Sequence, residues 1–479
     1  MTSAQVLSHF REIMTIPRES GHEEHIIAYL QKFAADRGMD CRTDEAGNVL
    51  ITIPATPGRE NAPTLILQSH SDMVCEKNSG VEHDFSKDPI KAVVEDGWLI
   101  AKDTTLGADC GIGIAAQLAV LEDKELPHGR IECLFTTSEE TGLDGAFALK
   151  PDFLTGSILL NLDSEDEGEL FIGCAGGIDT TAKFHYTPVP VPAGKVCVKA
   201  GFCGGIGGHS GDDIDKGRSN AVQSLARLLF RVWSEVPAVL CSIDGGNKRN
   251  AIAREASAVI AVSPGDASTV RNILEEVLAE LKDEYSVTDP DIAPVWESGL
   301  PVPAEAIDDS TAFNLIRALH AVPHGVMAMS AEVKGLVETS SNLASVKMQE
   351  GSIIRVGTSQ RSSTNSARRN AASRIEAAFS VAGAEVTHES EYPGWKPSLK
   401  SHILEVCKAS YRRLFGKDPV VRAIHAGLEC GLFLDKYPHL DMISFGPTLR
   451  GVHAPGERLD LASLDRFVLL LEDVIRECK

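Results

Sequence analysis

The stretch LILQSHSD, residues 65–72, decides how the chain is read. A short apolar run that turns polar only at its end reads as a buried strand of an α/β sheet. In such sheets ligands bind beyond the carboxyl ends of the strands, so the residues closing this run, His70 and Asp72, stand where chemistry is done. Four further segments repeat the pattern. They are TLGADCG (105–111) with Asp109, ECLFTTSEE (132–140) with Glu139 and Glu140, SILLNLDSE (157–165) with Asp163, and SFGPTLRGVH (444–453) with His453. Two imidazoles and several carboxylates are therefore expected on one rim of a sheet.

Length and composition frame that expectation. At 479 residues the chain exceeds one ordinary core, and two or three domains are expected. A hydrophobic fraction of 43% indicates a folded, globular protein. Asp and Glu outnumber Lys and Arg by 68 to 46, a formal charge of −22, which argues against general attraction to nucleic acid or anionic membranes. The expected partners are small molecules. The start, MTSAQVLSHFREIM, lacks the basic and apolar regions of a signal peptide, and no apolar run reaches about 18 residues. Eleven scattered cysteines without a C-x-x-C pair fit reduced thiols better than disulfides or a thiolate zinc site. A cytoplasmic location is the expectation.

Along the chain, a helix is expected over residues 4–14, and a second after Ser20, whose spacing to Glu23 matches a capping box. Strand-like CRTDE and NVLITIP precede the motif-bearing series of strands and helices. The Pro-rich HYTPVPVPAGK (185–195) and YPGWKP (392–397) read as connectors. Between them lie two successive sets of helices and strands of similar order, and after them the style of the first part returns with His453. The fold expected is α/β: a mixed-sheet, three-layer catalytic domain, discontinuous over 1–186 and 392–479, with an inserted two-part α/β lid domain over 187–391.

His and carboxylate ligands without thiolate suit zinc, manganese or cobalt in a site open to substrate. Two divalent ions bring four positive charges; neutral His70 and His453 with Asp109, Glu140 and Asp163 bring three negative ones, leaving room for one hydroxide. Of the adjacent pair Glu139 and Glu140, one can remain a ligand while the other cycles as a base. Asp72, two residues past His70, can orient its imidazole. Each motif alone has a plainer reading: H-x-D as a turn, the Glu pair as a helix start, Asp109 as an N-cap, Asp163 as the head of an acidic surface run. Their repetition at five segment ends sets them apart. Gly111, Gly113 and Ala116 match G-x-G-x-x-A, yet no apolar strand precedes them as a dinucleotide site requires. His209 in GGHSG reads as a flexible loop or a presented imidazole, and Arg361 in SQRSSTN as a carboxylate clamp or a strand end.

QSHSDMV, LGADCGIG, TTSEETGLDGA, LNLDSEDEGELFIGCAGG, GGHSGDDIDKGRSNA, RNAIARE, HAGLECG and GVHAPGER together resemble the aminoacyl-histidine (Xaa-His) dipeptidases, or bacterial carnosinases, of the dinuclear-zinc peptidase and aminoacylase group, from Ile16 to Arg458. The resemblance implies two divalent metals, zinc foremost. Asp109 would bridge them, Glu140 and His453 would complete one site, and His70 and Asp163 the other. It makes Glu139 the general base and Asp72 the residue that orients His70. From the lid domain, His209 would polarise the scissile carbonyl, Asn250 and Arg361 would hold the substrate backbone and C-terminal carboxylate, and Gly427 would offer a main-chain contact. It implies hydrolysis of Xaa-His dipeptides, β-alanyl-histidine included, in a homodimer. The alternatives are an N-acyl amino acid deacylase or a broad-specificity dipeptidase with the same metals. APGER stands where an S-P-D-E-like string is commoner, and Ser138 where relatives vary; both bear on substrate preference.

Overall fold

The computed structural model describes residues 1–479, which form two compact units. The first comprises Met1–Cys174, Trp395–Ala423 and Leu428–Lys479; the second comprises Ala175–Gly394 and Ile424–Gly427.

The first unit is built on an eight-stranded mixed sheet. Its order is Asp40–Thr43, Val49–Ile53, Ile131–Thr136, Leu65–His70, Ile158–Asn161, Asp441–Ser444, Glu169–Cys174 and Val420–Ile424. The four strands from Ile131–Thr136 to Asp441–Ser444 run parallel, so their carboxyl ends share one edge. Every residue of Leu65–His70 and Ile131–Thr136 is buried, as expected of central strands covered on both faces. The helices Ser3–Ile13, Ala108–Glu122, His402–Phe415 and Leu461–Glu477 send their apolar residues into the same core. No helix is long and apolar enough to cross a membrane.

The second unit has its own core around a nine-stranded antiparallel sheet. Its order is Ala293–Leu300, Val196–Cys203, Ala256–Val262, Val239–Gly246, Val337–Gln349, Ile353–Ser362, Gly176–His185 and Glu385–Tyr392, with Gly325–Met329 paired to Val337–Gln349. The helices Ala221–Glu235, Ala267–Glu284, Asp309–Ala321 and Asn365–Val381 pack on it. The two similar sets of elements thus share one sheet. The units divide at Cys174/Ala175, upstream of the sequence-based boundary at 186/187, because Gly176–His185 pairs along its length with Ile353–Ser362. The prolines of Pro188–Pro190 lie in a two-stranded pairing with Glu305–Ile307, an edge position that tolerates a missing N–H.

One local reading changes. Ser20 and Glu23 form no capping box: the helix Glu24–Asp36 has no side-chain cap. Glu23 instead accepts from the N–H (2.9 Å) and hydroxyl (2.8 Å) of Ser138, and Ser20 donates to Asp72 (2.7 Å). The glycines of G-x-G-x-x-A serve close packing. A Cβ on Gly113 would lie 2.7 Å from Cys110 Sγ, 2.9 Å from Ser69 Cβ and 3.1 Å from the Leu162 carbonyl, so the helix reaches the strands only because this side chain is absent. Gly113→Ala is expected to lower stability by about 1–3 kcal/mol through overpacking, measured as a lower urea midpoint at unchanged slope. An unaltered midpoint would show that the helix can shift away freely.

Candidate active site

The carboxyl edge of the parallel strands gathers the polar residues. His70 ends its strand and is 1% exposed. Asp163 lies two residues past Ile158–Asn161, and Glu139 and Glu140 open the short helix Glu139–Gly142. Asp109 sits in the non-helical first turn of Ala108–Glu122, where its side chain caps nothing and points at two imidazoles. His453 adopts a left-handed backbone (φ 61°).

The distances divide these groups in two. His70 Nε2 lies 3.0 Å from Asp109 Oδ1 and 3.3 Å from Asp163 Oδ1. His453 Nε2 lies 3.1 Å from Asp109 Oδ2 and 2.9 Å from Glu140 Oε1. Each oxygen of Asp109 thus faces its own imidazole, and each imidazole has a second carboxylate of its own. Glu140 Oε1 and Asp163 Oδ1 are buried and have no partner besides these imidazole nitrogens. Buried carboxylate oxygens in that condition call for a cation, and this nitrogen and oxygen set fits divalent ions of the zinc or manganese kind. Ligand atoms of His70, Asp109 and Glu140 lie within 4.8 Å of one another, so Glu140 is also near the His70 side.

Asp72 holds the ensemble from below. Its Oδ1 lies 3.3 Å from His70 Nδ1 and accepts the Glu139 N–H (3.0 Å), while Oδ2 accepts the Glu140 N–H (3.2 Å). Burial alone would raise its pKa, but the bond and charge of His70 outweigh it and hold the group at about 2. Elsewhere negative charge is crowded. Burial, then the Asp109 charge, lifts Asp163 to about 6 against the opposing pull of His70. Burial, then Asp163, Glu429 and Glu140, drives Glu139 well above the ordinary carboxylate range against the same pull. Hydrogen bonds to Asp109 and Glu140 lift His453 to about 11. A cluster that retains protons in this way has room for added positive charge.

Several supporting residues escaped the sequence reading. Glu457, 1% exposed, accepts the backbone N–H groups of Leu106 (2.7 Å), Gly107 (2.9 Å), Ala108 (2.8 Å) and Asp109 (3.4 Å). Arg18 donates to the carbonyls of Asp72 (2.7 Å), Ser71 (3.3 Å) and Gly107. Glu429 is buried and accepts from Gln68 (2.5 Å) and Thr136 (2.9 Å), and burial pushes it to about 8. Cys110 can join His70 and Asp163 around one point, but burial pushes its thiol well above the ordinary range and its Sγ donates to the Leu162 carbonyl (3.4 Å). None of these belongs to a spacing motif; Glu457, four residues after His453, carried the nearest signal.

In the second unit, His209 Nδ1 accepts the N–H groups of Gly211 (3.3 Å) and Asp212 (3.2 Å). Asn250 is joined to this loop by its carbonyl, which accepts from Ser210 N (2.9 Å), and is itself exposed. Arg361 is 9% exposed and donates to the Tyr392 hydroxyl (3.1 Å). Gly427 borders the same ring, 3.0 Å from where its Cβ would stand.

The profile of the M20/M25/M40 peptidases matches residues 66–477, from within the first rim strand to the end of the last helix. The chain belongs to peptidase family M20/M25/M40. This M20 member is 40% identical over 468 residues, 98% of its length and 96% of the relative's, to the cytosol non-specific dipeptidase of Escherichia coli K12. Its structure matches that of the aminoacylhistidine dipeptidase from Vibrio alginolyticus with a TM-score of 0.93 and 40% identity, over 98% and 96% of the two chains. Aminopeptidase PepT from Bacillus cereus, at 18% identity and a TM-score of 0.58 over 100% and 99% of the chains, shares the fold. The M20 chain is thus a hydrolase acting on peptide bonds.

The depressed Asp72 carboxyl has a measurable consequence. Its pKa is about 2 in the fold against an ordinary 3.8, so it contributes about 2 kcal/mol of stability above pH ~4, lost as pH falls through its folded value. In chelator-treated protein, the urea stability of wild type should exceed that of Asp72→Asn above pH ~4, and the gap should close towards pH ~2. A gap independent of pH would contradict this origin.

Proposed function

We propose that this peptidase is a dinuclear metal-dependent dipeptidase acting on Xaa-His dipeptides, β-alanyl-histidine among them. One observation carries the reading: the two oxygens of Asp109 face two different imidazoles, 3.0 Å from His70 and 3.1 Å from His453, with Asp163 and Glu140 completing the two groups. The 40% identity to relatives named as dipeptidases supports the substrate class. His70, Asp109 and Asp163 would hold one ion and His453, Asp109 and Glu140 the other, zinc first, with manganese or cobalt as alternatives. Bound there, the ions would polarise the scissile carbonyl and bring the pKa of the attacking water from 15.7 towards about 7.

The chain's own residues do the rest. Glu139 takes the proton of the water on its carboxylate and returns it to the leaving amine. It opens the short helix beside Glu140 and its main chain is fixed by Asp72, which places its carboxylate at the same edge as the two groups. Asp72 serves twice, setting the His70 ring and fixing the Glu139 main chain through one carboxylate. His209, whose Nδ1 faces the N–H groups of Gly211 and Asp212 and the Asp212 carboxylate (3.4 Å), presents its ring to polarise the scissile carbonyl. Arg361 takes the free carboxylate of the C-terminal residue, with Asn250 and Gly427 contacting the substrate backbone. A broader dipeptide range is the second reading, favoured by the similarity to a non-specific dipeptidase.

Glu139→Gln should lower kcat about 10²–10⁴-fold with metal content unchanged by elemental analysis; near-normal turnover would end the mechanism. Chelation should abolish hydrolysis and added zinc restore it. A panel of Xaa-His dipeptides, other dipeptides and N-acetyl amino acids should show hydrolysis of the first set foremost. Preference for the acylated compounds would replace the dipeptidase reading by a deacylase.

A further inference from the structure

Four neighbouring strands of the second unit's sheet carry one transverse row: Ser340 stands opposite Arg361, Arg361 opposite Gly177, and Gly177 opposite Tyr392. Directly opposed residues of antiparallel strands project from the same face. Gly177 leaves a gap in the row, and the Tyr392 ring fills it: a Cβ at Gly177 would lie 2.5 Å from Tyr392 Cε1 and 2.7 Å from its hydroxyl. On the ring's other border, a Cβ at Gly427 would lie 3.0 Å from Tyr392 Cε2. Two positions without side chains thus seat the phenol so that its oxygen accepts from Arg361 Nη1 at 3.1 Å.

That bond decides which edge of the guanidinium remains. Arg361 Nε is buried with no hydrogen-bond partner, and the guanidinium forms no salt bridge, Asp212 acting on it only through charge at longer range. With Nη1 engaged, the free edge is the one formed by Nε and Nη2, whose parallel N–H bonds match the two oxygens of a carboxylate. A buried guanidinium without a counter-ion is costly unless a ligand supplies one.

We propose that Tyr392 is a positioning residue for Arg361: by holding Nη1 it turns the Nε–Nη2 edge to receive the C-terminal carboxylate of the dipeptide in a two-bond grip. This rests on the dipeptidase reading above. A carboxamide in place of the carboxylate cannot accept at both atoms, so the dependence on Tyr392 is specific to substrates with a free C-terminus.

The test compares a dipeptide with its C-terminal amide, using full-length, zinc-reconstituted protein. In Tyr392→Phe, which keeps the ring and therefore the packing, KM for the dipeptide should rise about tenfold with kcat within twofold, and kcat/KM for the amide should not move. Gly177→Ala, which keeps the hydroxyl but displaces the ring that carries it away from Arg361, should reproduce the KM effect. In an Arg361→Lys background, which lacks the fork, Tyr392→Phe should add nothing. An equal loss on dipeptide and amide, an unchanged KM, or full additivity with Arg361→Lys would overturn the assignment. Wild-type protein inactive on both peptides would overturn the dipeptidase reading itself, whereas an active wild type with an unshifted Tyr392→Phe would remove this inference alone.

Discussion

The side chain of Glu457 is bound by the N–H groups of four consecutive residues, Leu106 to Asp109. A buried carboxylate is tolerated when its lone pairs are filled, and here backbone amides fill them. Because Glu457 lies four residues beyond His453, the contact joins the segment that presents His453 to the turn that presents Asp109. Arg18 secures the same turn by the Gly107 carbonyl and extends the hold to Ser71 and Asp72. The turn that carries Asp109 is therefore held by groups that reach it only through its main chain.

Crowded negative charge is the electrical counterpart of that frame. Asp72, Asp109, Glu139, Glu140 and Asp163 meet at one edge, and burial removes the water that would otherwise screen them. Asp72 and Glu139 diverge in proton affinity: the first, fully buried, is satisfied by His70, Ser20 and two N–H groups, while desolvation and then the like charges of Asp163, Glu429 and Glu140 outweigh the pull of His70 on the second. Two carboxylates whose surroundings push them apart can divide orienting from proton transfer.

Legibility in the sequence followed how local the physics was. LILQSH announced itself as a buried strand because burial on both faces leaves an uninterrupted apolar run, and His70 stood out as its terminus. Ser20 and Glu23 misled because the spacing of a capping box is also the spacing of two residues spent on distant partners, Asp72 and Ser138. Gly176–His185 was assigned by adjacency to the wrong core, since a strand's sheet is chosen by partners that lie far away, here Ile353–Ser362. The roles of Glu457 and Arg18 were not readable for the same reason: contacts to residues about 350 and about 50–90 positions away leave no local pattern.

The strand Asp441–Ser444 lies inside the first sheet, between Ile158–Asn161 and Glu169–Cys174, which are close neighbours in the chain. Its place must stand open while more than 200 intervening residues are made. The amino-terminal segment alone therefore lacks one interior strand of its sheet, and only the last part of the chain supplies it. The same late segment brings His453 and Glu457, so completion of the core and completion of the reactive edge are a single event in synthesis. A chain ending before residue 441 has neither a continuous sheet nor the polar groups of His453 and Glu457.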